Sequence, residues 1–498
     1  MLRPCGVTPL ARLATPLARL AGLSGGFVLA LGCAPAAVPI AAWTPPTDAF
    51  VRSDRAHLVD QVGRVMVFRG VNVRARGIFD VSLDPARCPP PTDVLEDIPE
   101  LTDDDLTRMQ QMGFDVIRLP IQWSAIEPTQ GAFDEAYLDR VQDVVARAAA
   151  HEIRVLLDFH ADGWSKDLGE DGAPLWATRP VPPMLLCGPL ADTLTQRRAD
   201  TLTYYTTFFD DSDPASVALQ DAYGAMVAHV AARFATDSTV IGYDLFNEPI
   251  PADANIQRFY ARILPALRAV DTRHLAFFEP SAIRNLTDMG PRGITAFPDP
   301  GGVYAVHLYT LSFSDPRGEL DTVTRARLEP NVTRAVAEAA AFGAPLFAGE
   351  WGIRPDSAGS APYVGIMYDL FDEHAASSTV WVWKESSQGA WGFFDYDAPA
   401  GTFRTRPAVV DAHLRIWAEI IAGEPMGATY DIATHVFELT YGGRGDDAPS
   451  VLRVPMLLGP FRVTCDGAAV ADATRDAVGR VEVVCPGPGT HVVRVEPM

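Results

Sequence analysis

Positive charge is what this 498-residue chain has least of. Asp and Glu number 63 against 41 Lys and Arg, a formal net charge of −22, and no run of five or more basic residues occurs. Phosphate backbones are gripped by clustered Lys and Arg, so nucleic acid is not an expected partner. Attraction to an anionic membrane surface is disfavoured for the same reason. Cysteine is sparse, six in all. None shows a C-x-x-C or comparable ligand spacing, so no metal site is expected from them. No Gly-rich turn follows the first core strand, as a doubly wound dinucleotide fold would want, and no cofactor is expected. What remains is a globular composition, 48% hydrophobic and 21% charged. It provides ample core and, by length alone, material for two to four domains.

The N-terminus reads as an export segment over residues 1–33. Arg3, Arg12 and Arg19 precede an apolar run, Leu20 to Leu31, too short and too Gly-interrupted for a transmembrane helix. The run ends LALGC at Cys33, a small residue then Cys, which resembles a bacterial lipoprotein signal with Cys33 as the lipidated residue. Ala30 stands where Leu is usual, and an ordinary signal peptide cut within APAAVPIAA is the alternative. Residues 34–48, rich in Ala and Pro, read as a tether. Export fits the remaining four cysteines, which allow three pairings. Cys88–Cys187 and Cys465–Cys485 are favoured because each pair stays within one domain; free buried thiols are the alternative.

From residue 49 strands and helices alternate. Core strands are expected near residues 70, 116, 155, 241, 275, 303, 346 and 379, with helices at about 102–112, 134–151, 214–235, 254–270, 325–342 and 360–375 between them. A further helix is expected over 406–422. Continuous apolar strands separated by helices imply a parallel sheet covered on both faces. Eight such units imply a (β/α)8 barrel over 49–424, whose chemistry sits at the carboxyl ends of the strands. Those ends are polar and aromatic: Asn72, Arg118, His160, Glu248, His307, Tyr309, Glu350 and Trp383. After residue 425 the helical signal stops, and short strands near 436, 451, 460, 480 and 491 imply a small C-terminal all-β sandwich.

Two stretches carry the chemistry. IGYDLFNEP, from Ile241 to Pro249, opens as a buried strand and ends in Asn247, Glu248 and Pro249. Pro249 has no N–H for a sheet, so the strand stops and Glu248 stands at its lip. LFAGEWG, from Leu346 to Gly352, likewise ends in Glu350 and Trp351. A strand-end Glu alone is as well read as a structural ion pair. Two of them match the needs of glycoside hydrolysis, in which one carboxylic acid protonates the leaving oxygen and the other carboxylate attacks or activates water. Arg118 is placed to hold Glu350 ionised, with a barrel-interior ion pair as the alternative. Tyr309 is placed to donate to Glu350. Trp383 offers a flat face for a pyranose ring, with core packing as the alternative. His160 reads as a hydrogen-bonding residue rather than a metal ligand, as no second His sits at ligand spacing.

Arg118 in VIRLP, His160 in DFH, Asn247-Glu248-Pro249, His307 and Tyr309 in HLY, Glu350 in GEWG and Trp383 in VWVW together resemble glycoside hydrolase family 5, over roughly residues 50–420. Within it the chain looks most like the endoglycoceramidases and related glucosylceramidases. The features are GVNV followed by Arg, DFHADG and DGAPLWA within 158–177, and YDIATHVFELTY at 430–441. The resemblance implies a retaining β-glycosidase with Glu248 as acid/base, Glu350 as nucleophile, and Asp162 and Arg76 on sugar hydroxyls. It implies a glycosphingolipid substrate, cleaved between glycan and ceramide. Ala161 and Arg76 stand where the family often has Gln and Lys, so glycan preference stays open. Large apolar residues in the 161–212 loop (Trp164, Leu168, Leu175, Trp176, Met184, Leu185, Leu186) suggest an apolar wall for ceramide, or a satellite core under the loop. Soluble β-glucosides are the alternative substrate, and a catalytically silent surface binding protein is the alternative class. A monomer is expected.

Overall fold

The computed structural model describes residues 46–182, 187–188, 201–287, 289–309, 311–312, 322–386, 391–471 and 473–498. The expected export segment, its Cys33 and most of the tether lie outside them. At the centre is a closed barrel of eight strands, all parallel and neighbouring in chain order. The strands are Arg69–Asn72, Val116–Ile121, Arg154–Phe159, Val240–Asp244, Leu275–Phe278, Gly302–Leu308, Leu346–Trp351 and Ser377–Val380. They are the eight expected. Nearly every residue in them is buried, because helices cover the outer face and side chains fill the inside. Gly70 permits a close approach here, since a Cβ on it would sit 1.6 Å from the carbonyl oxygen of Val116.

The covering helices follow from local signals. Asp103–Gln111 begins at Thr102, whose hydroxyl accepts the Asp105 N–H at 3.2 Å while the Asp105 carboxylate accepts the Thr102 N–H at 2.9 Å. Such a reciprocal cap contributes about 1 kcal/mol. Glu135–Ala150 turns Leu138, Val141, Val145 and Ala148 inward, the 3.6-residue stripe of its sequence.

The all-β layer differs from expectation in its reach. The helix expected over 406–422 is confined to Pro407–His413, and Trp417–Ile421 is a strand. It pairs antiparallel with Ser450–Arg453 and with Val65–Met66. The sandwich therefore begins before residue 425 and takes strands from the N-terminal side of the barrel. One sheet holds Arg52–Ser53, Leu58–Val59, Val65–Met66, Trp417–Ile421, Ser450–Arg453 and Arg480–Val483. The other holds Gly423–Asp431, Val436–Arg444, Pro488–Pro497, Phe461–Cys465 and Ala468–Ala469. Ala418, Ile421 and Leu452 meet Phe437, Leu439, Val493 and Val495 in one core. Two segments that look ambiguous alone are set as strands by each other's ladders. Both favoured cysteine pairs are bonded: Cys88–Cys187 with Cα atoms 5.3 Å apart, and Cys465–Cys485 at 5.9 Å.

Candidate active site

The register of the barrel brings the polar strand ends together. Asn72 pairs with Arg118 across the first two strands, and His307 with Glu350 across the sixth and seventh. A bulge at Gly349 shifts the seventh strand between Ala348 and Glu350, which re-aims the Glu350 side chain. Gly349 also leaves room for the neighbouring ring, as a Cβ there would lie 3.1 Å from His307 Nε2.

Arg118 is the hub. Its guanidinium is wholly buried and meets four carboxylates: Asp158 at 3.0 Å, Asp244 at 2.9 Å, Glu279 at 3.2 Å and Glu350 at 2.7 Å. It also donates to the side-chain oxygens of Asn72 at 3.1 Å and Asn247 at 3.0 Å. So many acceptors hold its pKa well above the ordinary arginine range against the cost of burial. Glu350 accepts from Arg118 Nη1 at one oxygen and from the Tyr309 hydroxyl at 2.8 Å at the other. Burial pushes its pKa up, while His307 and Arg118 pull it down.

Glu248 lies just past the fourth strand with φ at +44°, a left-handed conformation rare for a residue with a side chain. The bond from the Asn247 N–H to the Phe159 carbonyl, 3.1 Å, and that from the Glu248 N–H to Glu279 Oε2, 3.1 Å, hold it there. Its Oε1 accepts from Asn285 Nδ2 at 3.0 Å and lies 2.7 Å from His307 Nδ1. His307 is wholly buried, with Nε2 3.1 Å from Glu279 Oε1 and Nδ1 3.6 Å from Glu350 Oε2. Burial lowers the imidazole pKa, but Glu279, Glu350 and Glu248 raise it well above the usual value. A carboxylate oxygen of Glu248, one of Glu350 and a ring nitrogen of His307 all fall within 4.8 Å of one another. So close an approach of one oxygen from each suits a carboxylate acting as nucleophile, for which the carboxyl groups lie about 5–5.5 Å apart.

His160 and Asp162 build the adjoining wall. His160 Nδ1 is 2.6 Å from Asp158 Oδ2, and Nε2 is 3.3 Å from Asp162 Oδ2. Burial opposes the imidazolium, yet Asp158, Asp162 and Asp171 raise the His160 pKa well above the ordinary value. Asp162 accepts from Asn247 Nδ2 at 3.2 Å and keeps 42% of its side chain exposed, so it can still take a ligand hydroxyl. Glu248, His307 and Glu350, or His160, Asp162 and Asp171, sit close enough for a metal ion. Each imidazole is hydrogen-bonded to a carboxylate through Nδ1, His160 to Asp158 and His307 to Glu248, while Nε2 lies at ion-pair distance from Asp162 and Glu279 outside hydrogen-bond alignment.

The cluster thus gathers Arg118, His160, Asp162, Asn247, Glu248, His307, Tyr309 and Glu350 among the expected residues. Two expected residues stay out of it. Arg76 is 54% exposed and is drawn to the rim by Asp97 at 3.0 Å, Glu100 at 3.4 Å and the Ile98 carbonyl at 2.9 Å. Trp383 is buried outside the barrel against Phe393 and Phe394, its Nε1–H on Asp105 at 3.0 Å. The eighth strand ends at Val380, so strand alternation does not govern these positions. Trp381 instead lies parallel to the His160 ring, centroids 5.8 Å apart, and joins Tyr309 and Trp391 in an apolar group. The apolar wall expected from the 161–212 loop is also corrected. Trp164 and Leu168 are buried in the main core, Trp164 against Tyr205 and Phe208, and Trp176 packs edge-on to Trp123. Met184, Leu185 and Leu186 lie outside the described residues.

Several functional candidates were not visible beforehand. Asp158 and Asp244 read as strand interior. Glu279 was hidden in LAFFEP, although a Glu before Pro at a strand end repeats the signature of Glu248. Asn285 matched only a glycosylation pattern, Asn-Leu-Thr, yet it is buried against Glu248.

Residues 91–387 match the family described as Cellulase (glycosyl hydrolase family 5). An endoglycoceramidase of Cyanea nozakii is 24% identical over 439 residues, 78% of this chain and 80% of that protein. Endoglycoceramidase I of Rhodococcus hoagii is 29% identical over 262 residues, 50% of this chain and 49% of that protein. Among solved structures, endo-glycoceramidase II from Rhodococcus sp. in complex with ganglioside GM3 superposes with a TM-score of 0.71 at 25% identity, covering 89% of this chain and 99% of that one. An endogalactoceramidase superposes with a TM-score of 0.71 at 26% identity, covering 90% and 100%.

Proposed function

The chain belongs to glycosyl hydrolase family 5, and on that premise we propose that it hydrolyses the β-glucosidic bond between glycan and ceramide, retaining the anomeric configuration. The observation that carries the reading is the approach of Glu248 and Glu350 to within 4.8 Å at the carboxyl ends of the fourth and seventh strands. Glu350, held by Arg118 and Tyr309, attacks the anomeric carbon. Glu248 gives its proton to the glycosidic oxygen, and ceramide leaves. Water, deprotonated by Glu248, then attacks the glycosyl–Glu350 ester and frees the sugar. Asp162 and Asn247 hold sugar hydroxyls, and Trp381 forms the flat apolar wall beside them.

The ceramide half of the reading draws on two supports. Two relatives that span most of this chain, the Cyanea nozakii protein and the ganglioside-bound structure, carry endoglycoceramidase names. The short helix Ala282–Thr287, which brings Asn285 to the acid/base, also turns Ile283 and Leu286 to solvent, 48% and 55% exposed. An i, i+3 apolar pair beside the acid sits where an apolar leaving group departs. The two disulfides suit an oxidising compartment. With the N-terminal segment they support export, and the proposal takes the protein as a monomer tethered through Cys33.

The test is to follow sugar release from glucosylceramide, a ganglioside and cellotetraose, with the anomer first formed read by NMR. Release of β-configured glycan from either lipid supports the proposal. Fast cleavage of cellotetraose with both lipids intact refutes the ceramide reading, and an inverted product refutes the roles given to the two glutamates.

A further inference from the structure

Glu279 is a buried acid that the steps above leave unused. It follows the fifth barrel strand and precedes Pro280, and its side chain is wholly buried. Each of its oxygens touches a part of the acid/base apparatus. Oε2 accepts the backbone N–H of Glu248 at 3.1 Å. Oε1 lies 3.2 Å from Arg118 Nη2 and 3.1 Å from His307 Nε2. Beyond the ring, Nδ1 meets Oε1 of Glu248, the same oxygen that accepts from Asn285. Among the described residues, hydrogen bonds to the Glu248 carboxyl converge on Oε1 and none reaches Oε2.

We propose that Glu279 is a positioning residue: it holds His307 through Nε2 so that Nδ1 donates to Oε1 of Glu248, which reserves Oε2 for the proton delivered to the leaving oxygen. The proposal rests on the acid/base reading of Glu248. Its logic is donor counting. A guanidinium only donates, so Oε1 of Glu279 must accept from Arg118. The same oxygen faces Nε2. A carboxyl hydroxyl there accepts from Arg118 and donates to a neutral imidazole. A carboxylate there accepts from both Arg118 and an imidazolium. The 3.1 Å contact is an ion-pair distance outside hydrogen-bond alignment, which suits the carboxylate–imidazolium state, and Nδ1 then keeps its own hydrogen; a carboxylate facing a neutral Nε2–H ring, with Nδ1 bare, holds one proton fewer. Burial pushes Glu279 up to about 8, and the carboxylates around His307 raise its pKa too, so the pair keeps that proton at neutral pH.

An amide of the same shape breaks this arrangement. An amide oxygen beside Arg118 only accepts, so it draws the one proton of a neutral imidazole onto Nε2. Nδ1 is then a bare lone pair facing Oε1 of Glu248. The Glu248 proton moves to Oε1 to meet it and away from the leaving oxygen. The flipped amide sets its NH2 against Arg118 Nη2 instead. Neither orientation serves all the partners.

The test uses Glu279→Gln on two substrates with one glycan, a 2,4-dinitrophenyl β-lactoside, whose leaving group needs no acid, and an alkyl β-lactoside, whose leaving group does. A well-placed general acid is worth about 10²–10⁴-fold. Misplacing rather than deleting it should cost about 10–100-fold in kcat/KM on the alkyl substrate and less than about 3-fold on the dinitrophenyl one. Equal losses on both overturn the proposal, because a merely structural role lowers both alike. A second measurement does not depend on the variant folding. In the wild type, ¹⁵N shifts of the His307 ring, assigned by difference from His307→Asn, should show a protonated Nδ1. A bare Nδ1 overturns the proposal. If the wild type cleaves neither lactoside, the glycosidase reading fails instead, and the ring tautomer alone decides the role of Glu279.

Discussion

Replacing Arg118 by Met tests whether the buried charge cluster is held together by one cation. Met fills similar space, so the change is chiefly electrostatic. The substitution leaves Asp158, Asp244, Glu279 and Glu350 around the lost guanidinium, which all four now contact within 3.2 Å. Stripping one partner from a buried ion pair costs about 3–5 kcal/mol. Unfolding entropy of about 2.1 cal/mol/K per residue over roughly 450 residues makes each kcal/mol worth about 1 °C. The expected fall in Tm at pH 7 is therefore about 3–5 °C. The loss should depend on pH, and the sign follows from the protons. Burial already raises the folded pKa of Asp244 and Glu350 and takes Glu279 to about 8, each above its unfolded value. Such a group stabilises the fold fully below its unfolded pKa and loses that contribution as pH rises through its folded pKa. Without Arg118 these pKa values rise further, because the cation no longer favours the charged forms. The variant should thus lie closer to wild type near pH 5 than at pH 8. Thermal unfolding followed by circular dichroism at the two pH values checks this. Equal deficits at both, or a variant more stable than wild type at pH 8, would refute the view that Arg118 compensates these acids. Activity should fall as well, by about 10–100-fold, since Glu350 loses a charged hydrogen bond worth about 1.5–3 kcal/mol.

Other outcomes follow from the same geometry. Glu350→Gln should abolish turnover of every substrate, while Glu248→Gln should spare kcat/KM on dinitrophenyl glycosides, whose first step needs no acid, and lose about 10²–10⁴-fold in kcat/KM on glycolipids; kcat/KM on the two substrates decides it. Trp381→Ala should raise KM for glycan substrates, whereas Trp383→Phe should lower Tm by about 1–2 °C, from loss of its bond to Asp105, and leave KM unchanged. A Leu286→Ser variant should keep wild-type kcat/KM on a soluble aryl lactoside and lose activity on glucosylceramide presented in neutral vesicles; equal behaviour on both would remove this helix from the lipid reading.

The barrel was legible because its signal is repeated. Eight apolar runs in register with amphipathic helices leave few other folds. Proline after Asn247-Glu248 marks a strand end without any knowledge of neighbours. The same cue marks Glu279-Pro280, but Glu279 meets Arg118 and His307 only after the barrel closes. Asp158 and Asp244 were hidden for a related reason. Each sits within an apolar strand, and its partner is a guanidinium from a strand many residues away. A buried acid is intelligible only with its counter-ion, and that pairing is a property of the closed ring rather than of any local stretch.

The misplaced residues show the opposite limit. Arg76 was assigned by the family resemblance, and Trp383 as the end of the eighth strand; both lie beyond the last residue of a regular strand. The regular strands end at Asn72 and Val380, although the Val73 N–H still reaches the Arg118 carbonyl, and the Trp381 and Trp383 N–H groups those of Trp351 and Asn72. Beyond those points an exposed arginine goes to the nearest carboxylates, Asp97 and Glu100, and a tryptophan with an N–H to satisfy goes to Asp105. Trp381, nearer the strand's end, stays over the site against His160. The strand in Trp417–Ile421 was missed because its sequence suits a helix as well, and only the ladders of Val65–Met66 and Ser450–Arg453 decide the matter. Beyond a strand's last residue a side chain goes where its own atoms find partners, and in this protein two residues separate Trp381, beside the His160 ring, from Trp383 in the core.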